Sequence, residues 1–181
     1  MMLYHILDAV RRFEPDFYSH LCRSYNLDAD RIIGLFAEVE ELGSGQLLPL
    51  LNHLKAHDAY HEIVYLAGRN TLLMIAEDNQ LRAPLFSNGT QKFTALMKQL
   101  LPEFLGNASY VSMLRGSIHF LEIRDSIFAR QGESNNPLCG YYCGLLTELA
   151  NHFGFETANV VEARCCAVDH EATTCLIQIS L

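Results

Sequence analysis

The stretch of sequence that decides the fold is residues 137–181, which read PLCGYYCGLLTELANHFGFETANVVEARCCAVDHEATTCLIQISL. A proline followed by apolar residues at helical spacing predicts a helix over residues 138–153, which Gly154 ends. Residues 157–167 and 173–181 then alternate between apolar and polar side chains, a period typical of strands. This part of the chain is therefore predicted to form a helix followed by an antiparallel pair of strands.

The sequence before this stretch is first helical and then changes period. Apolar residues recur at helical spacing in residues 3–13, 14–25, 29–41, 47–54, 60–66 and 90–101. The last two of these helices are predicted to end near Gly68 and Pro102. Residues 109–128 instead alternate around a turn at residues 115–117, which predicts two antiparallel strands. Helices, hairpin, helix and hairpin in this order predict an α+β fold with an antiparallel sheet.

Length and composition limit the classes of function. A chain of 181 residues can bury a full hydrophobic core, and a single domain over residues 1–181 is predicted, with a helical N-terminal portion (1–68) and an α+β core (90–181). The 13 Lys and Arg against 21 Asp and Glu give a net charge of −8, without a basic run that could bind nucleic acid. The start of the chain lacks signal-peptide features, and no apolar run reaches the about 20 residues that span a bilayer. We expect a cytoplasmic protein without membrane insertion.

Five of the six cysteines lie between residues 139 and 175. In a reducing compartment such a cluster favours a metal site or thiol chemistry over disulfides. On the predicted elements, Cys139 lies at the helix start, Glu162 and Cys165 on the next strand, and Cys175 on its partner. Because an ideal strand places residues three apart on opposite faces, Glu162 and Cys165 can share a site only at a bulge or strand end. The alternative is that the cysteines are small buried apolar residues.

Several positions in this region form a pattern, and in order they are Asn136-Pro137-Leu138-Cys139, Gly144, Gly154, Glu162-Ala163-Arg164-Cys165 and Cys175. The pattern resembles the vinyl-reductase domain family, named for 4-vinyl reductase, over roughly residues 109–181. That domain also occurs in aromatic-sensing regions of bacterial transcriptional activators, within a superfamily that includes haem-based nitric-oxide sensors and subunits of vesicle-tethering complexes. The resemblance implies a bacterial protein with a helical N-terminal portion packed on a four-stranded antiparallel sheet.

The resemblance also implies a set of metal ligands. Phenol-sensing members of the family hold a structural zinc through positions that match Cys139, Glu162, Cys165 and Cys175 here. The sequence departs from the family at residues 167–174, which are longer than the family's turn and lack its glycine. Two further thiols, Cys143 and Cys166, leave open a different ligand set or redox activity.

Haem and iron-sulfur clusters are disfavoured as cofactors relative to zinc. A haem sensor of this superfamily would use a histidine on the helix before the strands, and residues 90–101 contain none. Of its Tyr-x-Ser-x-Arg motif only Arg130 remains. One alternative is that His53, His57 and His61, spaced at i, i+4 and i+8, share a helical face and bind a metal or haem. The other is that they form an ordinary polar surface.

An apolar cavity between helices and sheet is the predicted site for a small molecule. Its candidate lining residues, each of which also fits an ordinary core, are Phe93, Met97, Tyr110, Met113, Phe120 and Tyr142. His119 and His152 are predicted to be hydrogen-bonded structural residues.

No common catalytic motif occurs, so the chain is predicted not to be an enzyme. A thiol nucleophile paired as Cys166 with His170, or Cys139 with His152, stays open. The sequence therefore predicts a sensor of a small hydrophobic molecule or of redox state that acts through a partner protein or a homodimer. The alternatives are a non-catalytic adaptor or assembly subunit and a haem- or iron-sulfur-based gas sensor.

Overall fold

The computed structural model describes residues 2–24, 43–77, 89–105, 108–129, 132, 134, 136–169 and 171–181. Its helices are α1 (Met2–Phe13), α2 (Pro15–Ser24), α3 (Gly43–Leu54), α4 (Tyr60–Glu77), α5 (Gly89–Leu105) and α6 (Gly140–His152). Its strands are β1 (Ser109–Arg115), β2 (Ile118–Arg124), β3 (Asn159–Arg164) and β4 (Cys175–Ser180). The predicted helix at residues 29–41 lies outside the described residues. None of the described helices is long and apolar enough to cross a membrane.

The four strands form one antiparallel sheet in the order β1-β2-β4-β3. Alternation along β2 and β4 turns one face of the sheet toward the helices. The residues that this face buries are His119, Leu121, Ile123, Cys175, Ile177 and Ile179. The predicted α+β fold, with a helical portion on a four-stranded antiparallel sheet, is confirmed.

Helices α4 and α6 cross at two glycines. A Cβ atom on Gly68 would overlap the carbonyl oxygen of Tyr141, and one on Gly144 would overlap the carbonyl oxygen of Tyr65. Only glycine allows backbones to approach this closely. The prediction that Gly68 ends its helix is therefore wrong, since α4 continues to Glu77 and uses this glycine for packing.

An ion pair between Arg69 and Glu148 also links these two helices, with 2.7 Å between Arg69 Nη2 and Glu148 Oε2. The pair is partly exposed, so its contribution to stability is below about 1 kcal/mol. Close backbone packing, rather than charge, holds α6 against α4.

Pro102 lies inside α5 rather than at its end. Proline has no N–H group, so it cannot donate to the carbonyl of the residue four positions earlier, which is Lys98. The hydroxyl of Tyr110 donates to that carbonyl instead, at 3.2 Å. The prediction that Pro102 ends the helix is wrong by one turn, because β1 supplies the hydrogen bond that proline cannot make.

Candidate metal centre

Three separate elements bring the four predicted metal ligands together. Cys139 directly precedes α6, Glu162 lies in β3, Cys165 follows the last residue of β3, and Cys175 begins β4. The pairing of β3 with β4 shifts its register here, because Glu162 and Arg164 face consecutive residues of β4. The extra residue turns the end of β3, so that Glu162 and Cys165 reach the same site. The shift in register therefore explains how Glu162 and Cys165, three residues apart along the strand, can share one site.

The four side chains offer ligand atoms that all lie within 4.8 Å of one another. The sulfur atoms of Cys165 and Cys175 are 4.0 Å apart. Ligands bound at about 2.0–2.3 Å to a tetrahedral zinc lie about 3.5–3.8 Å from each other. Small side-chain movements would therefore give this cluster the geometry of a structural zinc site.

The start of α6 supplies backbone hydrogen bonds to two of the ligands. The N–H of Cys139 donates to Glu162 Oε2 at 2.8 Å, and the N–H of Leu138 donates to Cys165 Sγ at 3.5 Å. Such contacts orient a carboxylate and a thiolate before a metal binds. The side chains of Cys139 and Cys175 are fully buried, and that of Cys165 is nearly so.

The second carboxylate oxygen of Glu162 lacks a hydrogen-bond partner in the described part of the chain. This atom, Oε1, is buried, and burial raises the pKa of Glu162 to about 8. A buried acceptor without a partner costs about 1–3 kcal/mol, so a cation at this place would remove an existing penalty. Three thiols and a carboxylate fit zinc, whose usual ligands are sulfur, nitrogen and carboxylate oxygen.

Zinc binding is expected to strengthen with pH. Hydrogen bonding with Cys165 and Cys175, together with burial, raises the pKa of Cys139 well above its usual value. Since zinc binds the thiolate, at least one proton must leave, and affinity should rise at least about tenfold per unit between about pH 6 and pH 8. Chelator competition at three pH values measures this slope. An affinity that does not change over this range would show that the thiols are not the ligands.

Of the two thiols that the sequence left without a role, Cys143 is buried inside α6. Burial raises the pKa of Cys143, which leaves it in the neutral thiol form. Cys166 is half-buried, and its sulfur lies 3.3 Å from that of Cys175. The two extra cysteines therefore differ, since only Cys166 contacts the candidate centre through sulfur.

The alternative site at His53, His57 and His61 is not formed by one helix. Helix α3 ends at Leu54 and α4 begins at Tyr60, so the three histidines do not share the single helical face that this alternative requires. The rings of His53 and His57 pack against Phe17, with centroids 5.7 and 4.5 Å from its ring. His61 is exposed. In the described ranges, the cysteine and glutamate cluster is the one group of side chains placed to hold a metal ion.

The sheet divides the six residues predicted to line an apolar pocket. Phe93, Met97 and Tyr142 are buried on the helical side. Tyr110 pairs with Ile123 and shares that side, whereas Met113 pairs with Phe120 on the opposite, outer face. The predicted pocket is corrected accordingly, because Met113 and Phe120 cannot line a cavity enclosed between helices and sheet.

His119 was predicted from the sequence to be a structural residue and was not among the predicted site residues. It is 1 % exposed, and neither ring nitrogen has a hydrogen-bond partner among the described residues. Its ring packs edge-on against Phe93 of α5, with centroids 5.5 Å apart. Burial, with a smaller effect of Lys98, lowers the pKa of His119, so its imidazole is neutral. Within the described part of the chain, His119 therefore departs from the expectation of a hydrogen-bonded histidine, and its alternation with Leu121 and Ile123 was the sequence signal for its burial.

Comparisons with known proteins support the fold. No family model matches the sequence, and no curated protein matches it as a relative. The crystal structure of the phenol-responsive sensory domain of the transcription activator PoxR with phenol superimposes with a TM-score of 0.54 and 14% identity, over 76% of this chain and 73% of that chain. The NMR structure of an H-NOX domain from Shewanella oneidensis in the Fe(II)CO ligation state gives 0.52 and 14%, over 98% and 97%. At this identity, the likeness establishes a shared fold.

Proposed function

We propose that the chain is a small-molecule sensory domain of the vinyl-reductase type, in which zinc connects α6 to the β3–β4 hairpin. The observation that carries the proposal is the convergence of Cys139, Cys165 and Cys175 on a buried carboxylate with one unpaired oxygen. The fold shared with a phenol-responsive sensory domain supports a sensing role. Bound zinc would supply a structural cross-link, and no reaction is assigned to it.

The strands provide a route from a ligand site to the metal centre. His119 in β2 pairs with Ile179 of β4, and Ile123 in β2 pairs with Cys175 at the start of β4. A ligand that moves β2 would therefore shift a strand that carries a zinc ligand. We place the ligand site at the contact between α5 and β2, and we place the protein in the cytoplasm.

The environment of His119 indicates the class of ligand. A neutral imidazole has one donor and one acceptor nitrogen, and here neither has a hydrogen-bond partner among the described residues, while the ring packs against Phe93. A buried polar group of this kind favours a ligand that has one hydrogen-bonding group on an apolar body. A phenol meets both requirements, and the phenol bound by the PoxR sensory domain supports this choice.

His119→Phe is expected to have two opposite effects. Removing an unpaired buried polar group should stabilise the free protein by about 1–3 kcal/mol. The same change should weaken phenol binding at least about tenfold, because the ligand hydroxyl loses its partner. Denaturant unfolding and calorimetric titration with phenol measure the two effects.

Toluene provides the matched ligand, since it retains the ring and lacks the hydroxyl. The affinity for toluene should be equal in wild type and His119→Phe. Phenol should bind more tightly than toluene to wild type, but not to His119→Phe. His152→Phe, a change at an exposed histidine at the end of α6, should alter neither affinity. Unchanged phenol binding by His119→Phe would remove His119 from the site.

A second candidate, a non-catalytic adaptor that binds a partner protein, is favoured by the outer face of the sheet. Val111 and Val161 are 50% and 39% exposed there, and Met113 and Phe120 lie on the same face. Exposed apolar side chains of this kind are typical of recognition surfaces. Native mass spectrometry with phenol separates the candidates, because an adaptor would bind its partner and no phenol. Both candidates are binding rather than catalytic functions.

A further inference from the structure

Cys166 is not a proposed zinc ligand, yet its sulfur contacts the sulfur of the proposed ligand Cys175. Its sulfur is 3.3 Å from Cys175 Sγ, whereas the two ligands Cys165 and Cys175 are 4.0 Å apart. The N–H of Cys166 also points at Cys175 Sγ, at 3.5 Å. Cys166, which is not one of the proposed zinc ligands, therefore lies nearer to Cys175 through its sulfur than the ligand Cys165 does.

The turn after β3 holds Cys166 in this position. The N–H groups of Val168 and Asp169 both donate to the carbonyl of Cys165, at 3.0 and 2.9 Å. These bonds close the chain directly after Cys166 and keep it beside the start of β4. Since a disulfide bond is about 2.05 Å long, the two sulfurs need to approach by about 1.3 Å to form one.

Solvent reaches Cys166 more readily than it reaches the ligands. Cys166 is half-buried, while Cys139, Cys165 and Cys175 are buried. Cysteines that are accessible and adjacent to a second thiol are those that oxidants convert reversibly to disulfides. The other extra thiol, Cys143, is buried in α6, and no contact of its sulfur with another cysteine is seen in the described part of the chain.

We propose that Cys166 is a reversible oxidation site that forms a disulfide with Cys175 and thereby releases the metal. The disulfide forms from these two thiols and an external peroxide without the metal, whereas the release of metal rests on the proposed zinc centre. With hydrogen peroxide as the oxidant, Cys166 Sγ attacks one peroxide oxygen, the O–O bond breaks, and a sulfenic acid and one water form. Cys175 Sγ then attacks the sulfenic sulfur, the S–O bond breaks, and a second water leaves.

The two electrons pass from the thiols to the peroxide, so zinc, which has no redox chemistry, keeps its charge. The disulfide removes Cys175 from the ligand set and leaves Cys139, Glu162 and Cys165. A site with two thiolates and one carboxylate binds zinc more weakly than the intact site with three thiolates and one carboxylate. A dithiol reductant reverses the step and restores the site.

The test uses the full chain loaded with zinc and treated with hydrogen peroxide. A chromogenic chelator follows zinc release, and peptide mass spectrometry identifies the disulfide. We expect one zinc released per Cys166–Cys175 disulfide, and release at least about tenfold slower in Cys166→Ala. Cys143→Ala, which removes a buried thiol from the same region, should release zinc at the wild-type rate.

The outcomes separate this inference from the zinc proposal. If wild type binds no zinc, the zinc centre fails, and the disulfide is then tested by mass spectrometry on the metal-free protein. Equal release rates in wild type and Cys166→Ala, or a disulfide mapped to other cysteines, would overturn the oxidation site. Slower release in Cys166→Ala with zinc restored by dithiothreitol in wild type supports it.

Discussion

Cys139→Ser is expected to reduce bound zinc from one ion per chain to none. The Cys139 side chain is fully buried and supplies one of the three thiolates of the site, a ligand that the serine hydroxyl does not replace. A ligand that binds only the folded state stabilises it by about 4 kcal/mol when its free concentration is a thousand times its dissociation constant. At the same excess of zinc, the variant should therefore have an unfolding free energy lower by about that amount than that of zinc-saturated wild type.

Elemental analysis gives the zinc content, and denaturant unfolding with and without a chelator gives the stability difference. In the presence of chelator the two proteins should differ by less than about 1 kcal/mol, since serine replaces a small buried group at the same position. Cys143→Ser, one helical turn further along α6, should keep its zinc. A Cys139→Ser protein that still binds one zinc per chain would contradict the ligand assignment, and a wild type without zinc would contradict the centre itself.

Short-range sequence patterns correctly predicted the features that depend on neighbouring residues, namely the two pairs of strands and the end of α6. Alternation located both hairpins, and Gly154, with a φ of +80°, follows the end of α6 closely. The candidate ligands came from a family resemblance rather than from spacing, because the register shift after Glu162 leaves no signal in a strand pattern. The register shift between Glu162 and Arg164 explains how Cys165 reaches the same site as Glu162.

The incorrect predictions for Gly68, Pro102 and His119 share a physical cause, which is contact between elements that are distant in sequence. Gly68 has the composition of a helix end, yet it lies inside α4 because the backbone of α6 packs against it. Pro102 remains inside α5 because Tyr110 compensates for its missing hydrogen bond. For His119, the alternation along β2 showed which residues share its face of the strand. It did not show which of the two faces the helices cover. Such contacts exist only in the folded chain.

Gly144→Ala is expected to destabilise the protein by about 3 kcal/mol or more, because it places a Cβ atom onto the backbone of α4. The overlap is with the carbonyl oxygen of Tyr65, which the helix cannot move without breaking its own hydrogen bonds. In an ordinary helix interior, alanine in place of glycine stabilises by about 1 kcal/mol, so the sign of the effect identifies the contact. Thermal and denaturant unfolding measure it.

Gly89→Ala is the matched control, since its Cβ would meet only the ring of Phe155, at 3.1 Å, and a side chain can move. Its effect should stay within about 0.5 kcal/mol.

Gly68→Ala should behave like Gly144→Ala, because its Cβ atom would meet the carbonyl of Tyr141 in the same helix crossing. Once one alanine has separated the helices, the second costs less, so the double variant should be less destabilised than the sum of the single variants. Additive effects, or a stabilised Gly144→Ala, would show that α4 and α6 do not cross at these glycines, and the position of Cys139 at the start of α6 would then lose its support.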